Sequence, residues 1–281
     1  MKKIAILLGL ISCLISCEKD NSKEKNEQKE NSAYITDVFE YVYGVGQHTN
    51  MITEKTGDNF IGNTPNYVLL GGWGGYIIAG FDHNIQNKDG YDFAIICKGS
   101  VCPEPAVIYV MEDTNNDGKP NDTWYQIKGS EYENSIHNYA VTYHYNGIDK
   151  NITWTDNQGN EGELVPGYGN TTSDTWWPYG ELTEKTFTGE RLPDAYFKNE
   201  ETGIWDTDEK MFRYGYAENI KGSDYDKELY GNMIDISDAI DTNGEYVDIQ
   251  HIRFIKVQTG VFQQADWLNE ISTEISGAKE L

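Results

Sequence analysis

Tyr67-Val68-Leu69-Leu70, Tyr76-Ile77-Ile78-Ala79, Phe93-Ala94-Ile95-Ile96 and Ala106-Val107-Ile108-Tyr109-Val110 follow one another closely, each an apolar run bounded by Gly, Pro or Asx residues. Runs this short, rich in β-branched and aromatic residues, are strands, and their unbroken apolar character places them centrally in a sheet. Further on, Tyr139 to Tyr145, Asn151 to Trp154 and His251 to Val257 alternate apolar with polar residues, the pattern of strands with one wet face. The segment between Met233 and Ile240 is the one candidate for a short helix, with Asp235, Ser237 or Asp238 at its start. Glycines cluster at Gly44 and Gly46, through Gly71-Gly72-Trp73-Gly74-Gly75, and at Gly159, Gly162, Gly167 and Gly169, where a chain reverses or backbones approach closely. Many short strands separated by such turns predict an all-β fold, an antiparallel β-sandwich with few or no helices. No repeat of fixed period is present, which argues against a propeller or solenoid.

The amino terminus is of a different kind. Met1-Lys2-Lys3 opens an apolar run from Ile4 that ends in Leu14-Ile15-Ser16-Cys17 and passes directly into Glu18-Lys19-Asp20. A charged start, a short apolar centre and small residues before the cut make a secretory signal, too brief to span a bilayer as a helix. Leu-x-Ser-Cys resembles a bacterial lipobox, so residues 1–16 are expected to be removed and Cys17 to carry lipid. The upstream Leu10-Ile11-Ser12-Cys13 is a competing cut, disfavoured because Leu14 and Ile15 would follow the lipid where a polar tether normally begins. Glu18-Lys19-Asp20 resembles the acidic signal that sends lipoproteins of gut Bacteroidetes to the outer face of the outer membrane. Ser22 to Ser32 contains no apolar residue and cannot bury anything, so 17–32 reads as a disordered tether and 33–281 as a single domain.

The formal charge is −24, and removal of Lys2 and Lys3 with the signal takes it to −26. A field of that sign repels phosphate backbones and anionic headgroups and keeps an exposed protein soluble, so nucleic acid is excluded as a partner and the membrane is reached only through lipid. After processing, Cys97 and Cys102 remain. In an exported chain, two cysteines this close are expected to form a disulfide pinning a tight turn.

Two constellations point to binding. Asp113-Thr114-Asn115-Asn116-Asp117-Gly118-Lys119-Pro120-Asn121-Asp122 sets oxygens at positions 1, 3, 5 and 9 of a loop, a backbone carbonyl at Lys119 and the turning glycine at 6, the spacing by which EF-hand-type loops wrap Ca²⁺. Position 12, normally Glu, is Trp124, so a further carboxylate would come from Asp122 or elsewhere; the alternative is an ion-free turn rich in Asx residues. Bound calcium would stiffen the loop that presents Trp124 and Tyr125. The second constellation is aromatic: Trp124-Tyr125, Trp154, Trp176-Trp177-Pro178-Tyr179 and Trp205. Flat rings give large contact area at little entropic cost, as sugar-binding surfaces require. Trp154, inside an alternating strand, reads as core, and Trp176-Trp177-Pro178-Tyr179 as an exposed platform.

Enzyme signatures are missing. There is no nucleophile elbow, phosphate loop or zinc-protease helix, and the five histidines, His48, His83, His137, His144 and His251, show no ligand-like pairing. A pair of catalytic carboxylates needs no local signature, and nothing singles one out among 46 acidic residues. Asp82, Asp92 and Glu104, next to strands, read chiefly as caps of turns.

Several runs together resemble a family of Bacteroidetes cell-surface lipoproteins: Leu69 to His83, Tyr91-Asp92-Phe93, Glu104 to Val110, Asp113 to Tyr125, Ile152 to Gly159, and Phe254 to Val261 with Glu270 to Glu274. The resemblance implies a jelly-roll-like sandwich on a surface lipoprotein and transfers no catalytic residue. Asn269, where the family has Gly, and the Cys97/Cys102 pair depart from its pattern. The resulting expectation is a non-catalytic surface protein that captures an extracellular glycan or corrinoid for an outer-membrane transporter. A carbohydrate-active hydrolase and a structural or adhesive surface protein are the alternatives.

Overall fold

The structure, a computed structural model, describes residues 31–47, 57–64, 66–165, 176–208, 210–265 and 269–281. The signal, Cys17 and the tether as far as residue 30 lie outside these. Order reaches into the last tether residues: the Ser32 N–H donates to Asp82 Oδ1 at 3.2 Å.

The strands in chain order are β1 (Asp37–Val42), β2 (Val68–Leu69), β3 (Tyr76–Gln86), β4 (Phe93–Ile96), β5 (Ala106–Met111), β6 (Trp124–Ile127), β7 (Ile136–His144), β8 (Ile152–Asp156), β9 (Glu161–Leu164), β10 (Glu184–Arg191), β11 (Tyr196–Lys198), β12 (Trp205–Thr207), β13 (Tyr225–Asp226), β14 (Gly231–Ile234), β15 (Ala239–Ile240), β16 (His251–Thr259), β17 (Glu274–Ile275) and β18 (Gly277–Glu280). All named strand pairs are antiparallel. The fold is an all-β, antiparallel sandwich.

The main sheet has six strands in the order β1-β3-β16-β5-β6-β15. Alternation sorts its side chains onto two faces. Ile77, Ala79 and Phe81 of β3, Ile108 and Val110 of β5, and Ile255 and Val257 of β16 point one way and meet Phe93 and Ile95 of β4, Ile234 of β14 and Ala278 of β18. Those last strands belong to the facing sheet, β13-β14-β4-β18, so this layer is the principal core. The four apolar runs are therefore strands, and three of them, β3, β4 and β5, are interior. β16, from the far end of the chain, lies between β3 and β5.

A second sheet, β10-β7-β8-β9, closes over another cluster: Tyr139, Val141, Tyr143, Ile152, Leu164 and Phe187 pack with Trp73, Trp176 and Trp177. Trp73 comes from the glycine-rich link before β3. A Cβ at Gly75 would lie 1.9 Å from Leu70 O and one at Gly72 2.2 Å from Val45 O, so only glycine lets these segments touch. Trp73 is buried in the gap and its Nε1–H donates to the Glu190 carbonyl at 3.3 Å, fixing the end of β10 against the main sheet.

The segment between Met233 and Ile240 is not a continuous helix. Met233 ends in β14, Ile236–Asp238 form one 3-10 turn capped by Asp235, whose side chain accepts from Ser237 N, and Ala239 begins β15. Asp235 favours the cap over a longer helix because its carboxylate satisfies the turn's free N–H. Asp92 acts similarly, accepting from Lys88 N at 2.7 Å and Ile236 N at 2.9 Å.

The expected Cys97–Cys102 disulfide is not formed; both cysteines are free thiols. Cys97, at the end of β4, is buried and its Sγ faces Tyr230 O at 3.4 Å. Cys102 lies beyond a turn containing Gly99 at φ 88°, with Glu104 and Tyr196 as its neighbours. The two thiols have different neighbours, Cys97 Sγ facing Tyr230 O and Cys102 packing on the cluster that holds Val107, Leu192 and Tyr196.

Candidate functional site

The outward face of the main sheet carries the chemistry. One cross-strand row runs Gln126 (β6), Tyr109 (β5), Lys256 (β16), Ile78 (β3) and Glu40 (β1). Beside it lie Trp124, paired with Met111, and Gln258, paired with Val107 and Tyr76. Over part of this face the ends of β7 and β10 bring His137, Asn138, Thr188, Gly189 and Glu190, and the segment after β15 brings Asp241 and Thr242. The result is a half-open cleft of about 440 Å³ between the two sheets, within the range of small-molecule sites.

Lys256 stands at its floor, in the middle of a central strand. Its Nζ lies 4.6 Å from the Tyr76 ring centre and 5.0 Å from that of Tyr109. Burial lowers its pKa to about 8, and Glu40, which accepts from the Tyr76 hydroxyl at 2.7 Å, opposes that shift. Two tyrosine faces hold the ammonium without neutralising it. Glu190 is buried, which raises its pKa, and His137 opposes the rise. His137 Nδ1 lies 2.8 Å from Glu190 Oε1 and 2.9 Å from Oε2, so the imidazole engages both carboxylate oxygens. Gln258 is 2% exposed; its Nε2–H groups donate to Gly74 O at 2.9 Å and Thr188 O at 3.1 Å, while its Oε1 has no donor. The floor thus presents one cation and one unmet acceptor, Gln258 Oε1, between the rings of Tyr109, Trp124 and Tyr132.

Of the aromatic residues read from sequence, Trp124 alone reaches this cleft. Tyr125, its neighbour on β6, points to the opposite face and packs on the principal core. The proposed platform of Trp176, Trp177 and Tyr179 is corrected: Trp176 is fully buried, Trp177 is 7% exposed and Tyr179 packs against the same cluster. Trp177 stacks on Tyr145 at 5.6 Å and donates Nε1–H to Leu182 O. Polar neighbours in the sequence disguised a core segment that closes one end of the β7–β10 layer. Trp154 packs on that cluster as expected of a core residue, and Trp205 packs beside Tyr196 and Phe212.

The Asp113–Asp122 loop joins β5 to β6 at the edge of this face. Asp113 is buried and accepts from Asp117 N and Gly118 N at 3.0 Å and from Arg253 Nη1 at 3.0 Å. Asn115 Oδ1 accepts from Asp117 N, Asp117 from Lys119 N and Asn121 Nδ2, and Asp122 from Thr114. The oxygens expected to hold Ca²⁺, with Lys119 at the carbonyl position, are linked as consecutive Asx turns, and the Arg253 guanidinium lies beside Asp113. Among the described residues no group of three or more His, Cys, Asp or Glu is arranged to hold a metal ion.

Lys256, Glu190, His137 and Gln258 were not singled out from sequence. A signal for two of them existed: in Ile255-Lys256-Val257-Gln258 the polar residues interrupt a strand destined for the sheet's centre, where a lone charge is costly unless it serves a site. A second acidic group, Glu104, Glu218, Glu270 and Glu274, lies away from the cleft, and burial raises the pKa of all four. No protein-family model matches the chain, and no curated protein sequence matches it.

Proposed function

We propose that the protein is a lipid-anchored outer-membrane surface protein that captures a short extracellular saccharide in the cleft between the main sheet and the β7–β10 edge, for delivery to an uptake transporter. The observation that carries this reading is the composition of the cleft: aromatic rings along the walls and hydrogen-bonding groups, one of them unmet, at the floor. Sugars match that arrangement because each ring offers an apolar face and a rim of hydroxyls. Lipid at Cys17, outside the described residues, would hold the cleft outside the cell.

Calorimetric titration of the full chain with a glycan panel and with cobalamin tests it. Saturable binding of a saccharide, weakened by Trp124→Ala and left intact by mutation of the distant Tyr230, supports the proposal. Binding of cobalamin alone would make the corrinoid the ligand, and no binding of either class would sink capture as the function. Mass spectrometry of the mature amino terminus tests the anchor.

A second reading has one observation in its favour. Glu190 and Asp241 line the same cleft, the first with its pKa raised by burial, the second with its pKa lowered by the Glu245 and Asn243 amides. Carboxyls pushed apart in this way are what a glycosidase uses as acid and base. Asp241 is, however, already committed to its turn, accepting from Asn243 N and Glu245 N. Release of reducing sugar from polysaccharide, abolished by Glu190→Gln, would establish the hydrolase instead.

A further inference from the structure

We propose that the cleft selects saccharides bearing a carboxylate, the Lys256 ammonium taking the carboxylate of a uronate ring while Gln258 Oε1 takes a hydrogen from one of its hydroxyls. This rests on the reading of the cleft as a saccharide site. Three features of the floor carry it. Lys256 has no hydrogen bond or ion pair among the described residues; its contacts are two ring faces. Gln258, 98% buried, keeps an acceptor without a donor, while its nitrogen is fully used. Gly189 holds the gap open, because a Cβ there would lie 2.6 Å from that same oxygen.

A neutral sugar could satisfy the Gln258 acceptor but would strip water from an ammonium that forms no ion pair and feels Glu40 only at longer range, a cost an anionic ring removes. The surface as a whole is strongly acidic, so an anionic ligand is held against the overall field by a local cation and not by general attraction. The groups that face Lys256 and could compete for it are Glu40 on β1, engaged by the Tyr76 hydroxyl, the hydroxyls of Tyr76 on β3 and Tyr109 on β5, and Glu190 and His137 on the covering strands, engaged with each other. Asp241 and Tyr132 stand on the rim.

The test is calorimetric titration of the full chain with trimers of galacturonate, glucuronate and mannuronate, each beside its carboxyl-reduced neutral counterpart. At pH 6.5 at least one acidic trimer is expected to bind roughly tenfold or more tightly than its neutral partner, as a charged hydrogen bond predicts. The gap should narrow as pH rises through about 8, where Lys256 loses its proton. Lys256→Met, which keeps the packed stem, should abolish the gap while neutral binding survives, and Lys256→Arg should retain it. Equal affinity for acid and neutral partners, or a gap that persists in Lys256→Met, overturns the selectivity and leaves saccharide capture standing. Failure of every trimer and of the wider glycan panel overturns both.

Discussion

Trp177→Ala separates a core residue from a binding platform. The indole is 7% exposed, stacks on Tyr145 at 5.6 Å with 19° between planes, and meets Tyr179 edge-on at 5.4 Å. Truncating a buried tryptophan costs about 3–5 kcal/mol, in which the loss of these ring pairs is included. The Leu182 carbonyl also loses its donor at 2.8 Å, but Leu182 is exposed and water replaces it, so little is added. About 4 kcal/mol, at roughly 2–4 °C per kcal/mol for a domain of this size, lowers Tm by about 8–16 °C. Trp124→Ala, half-buried on the cleft wall, is expected to cost about 1 kcal/mol and to weaken saccharide binding. Scanning calorimetry and urea denaturation, run beside the binding titration, read both variants. A Trp177→Ala protein as stable as wild type within about 0.5 kcal/mol but unable to bind would refute the assignment of this segment to the core.

Arg253→Met should lower the unfolding free energy read from urea denaturation by about 1–3 kcal/mol, less than a fully buried ion pair costs because the guanidinium is 30% exposed; an unchanged value would show that Asp113 does not need the guanidinium. In the same assay, a rise in the wild-type midpoint with millimolar Ca²⁺ would show that the protein binds the ion, and no response would leave the loop as Asx turns. Glu104, Glu218, Glu270 and Glu274 hold their protons above the usual carboxylate range because burial penalises the charged form. Native-state pKa values raised above the unfolded ones give stability that is full below about 4.5 and is lost as pH rises through the native values. Glu104→Gln should therefore lose less stability than wild type between pH 5 and pH 9, and parallel profiles for the two proteins would contradict the account. Alkylation in denaturant without reductant should modify both Cys97 and Cys102, as free thiols require; recovery of a linked peptide would reverse the correction.

The strands were legible because a strand announces itself locally. Apolar runs at 76–79, 93–96 and 106–110 and the alternation at 251–257 depend on neighbours two residues away, and the structure places a strand at each. The same local rule explains Trp124 and Tyr125, which part to opposite faces of β6. Local pattern does not say what a face meets. Trp176 and Trp177, set among polar and turn residues, are core because a second sheet closes over them, and Cys97 and Cys102, close in sequence, are free thiols with different neighbours. The cleft belongs wholly to this second level. Its Lys256 and Gln258 come from β16, His137 from β7 and Glu190 from β10, and β16 reaches them by inserting between strands that precede it by more than a hundred residues. Composition and periodicity decided that the chain is an antiparallel all-β protein; long-range strand pairing decided which polar residues share a floor, since hydrogen-bonded register, and not sequence distance, sets what lies beside what.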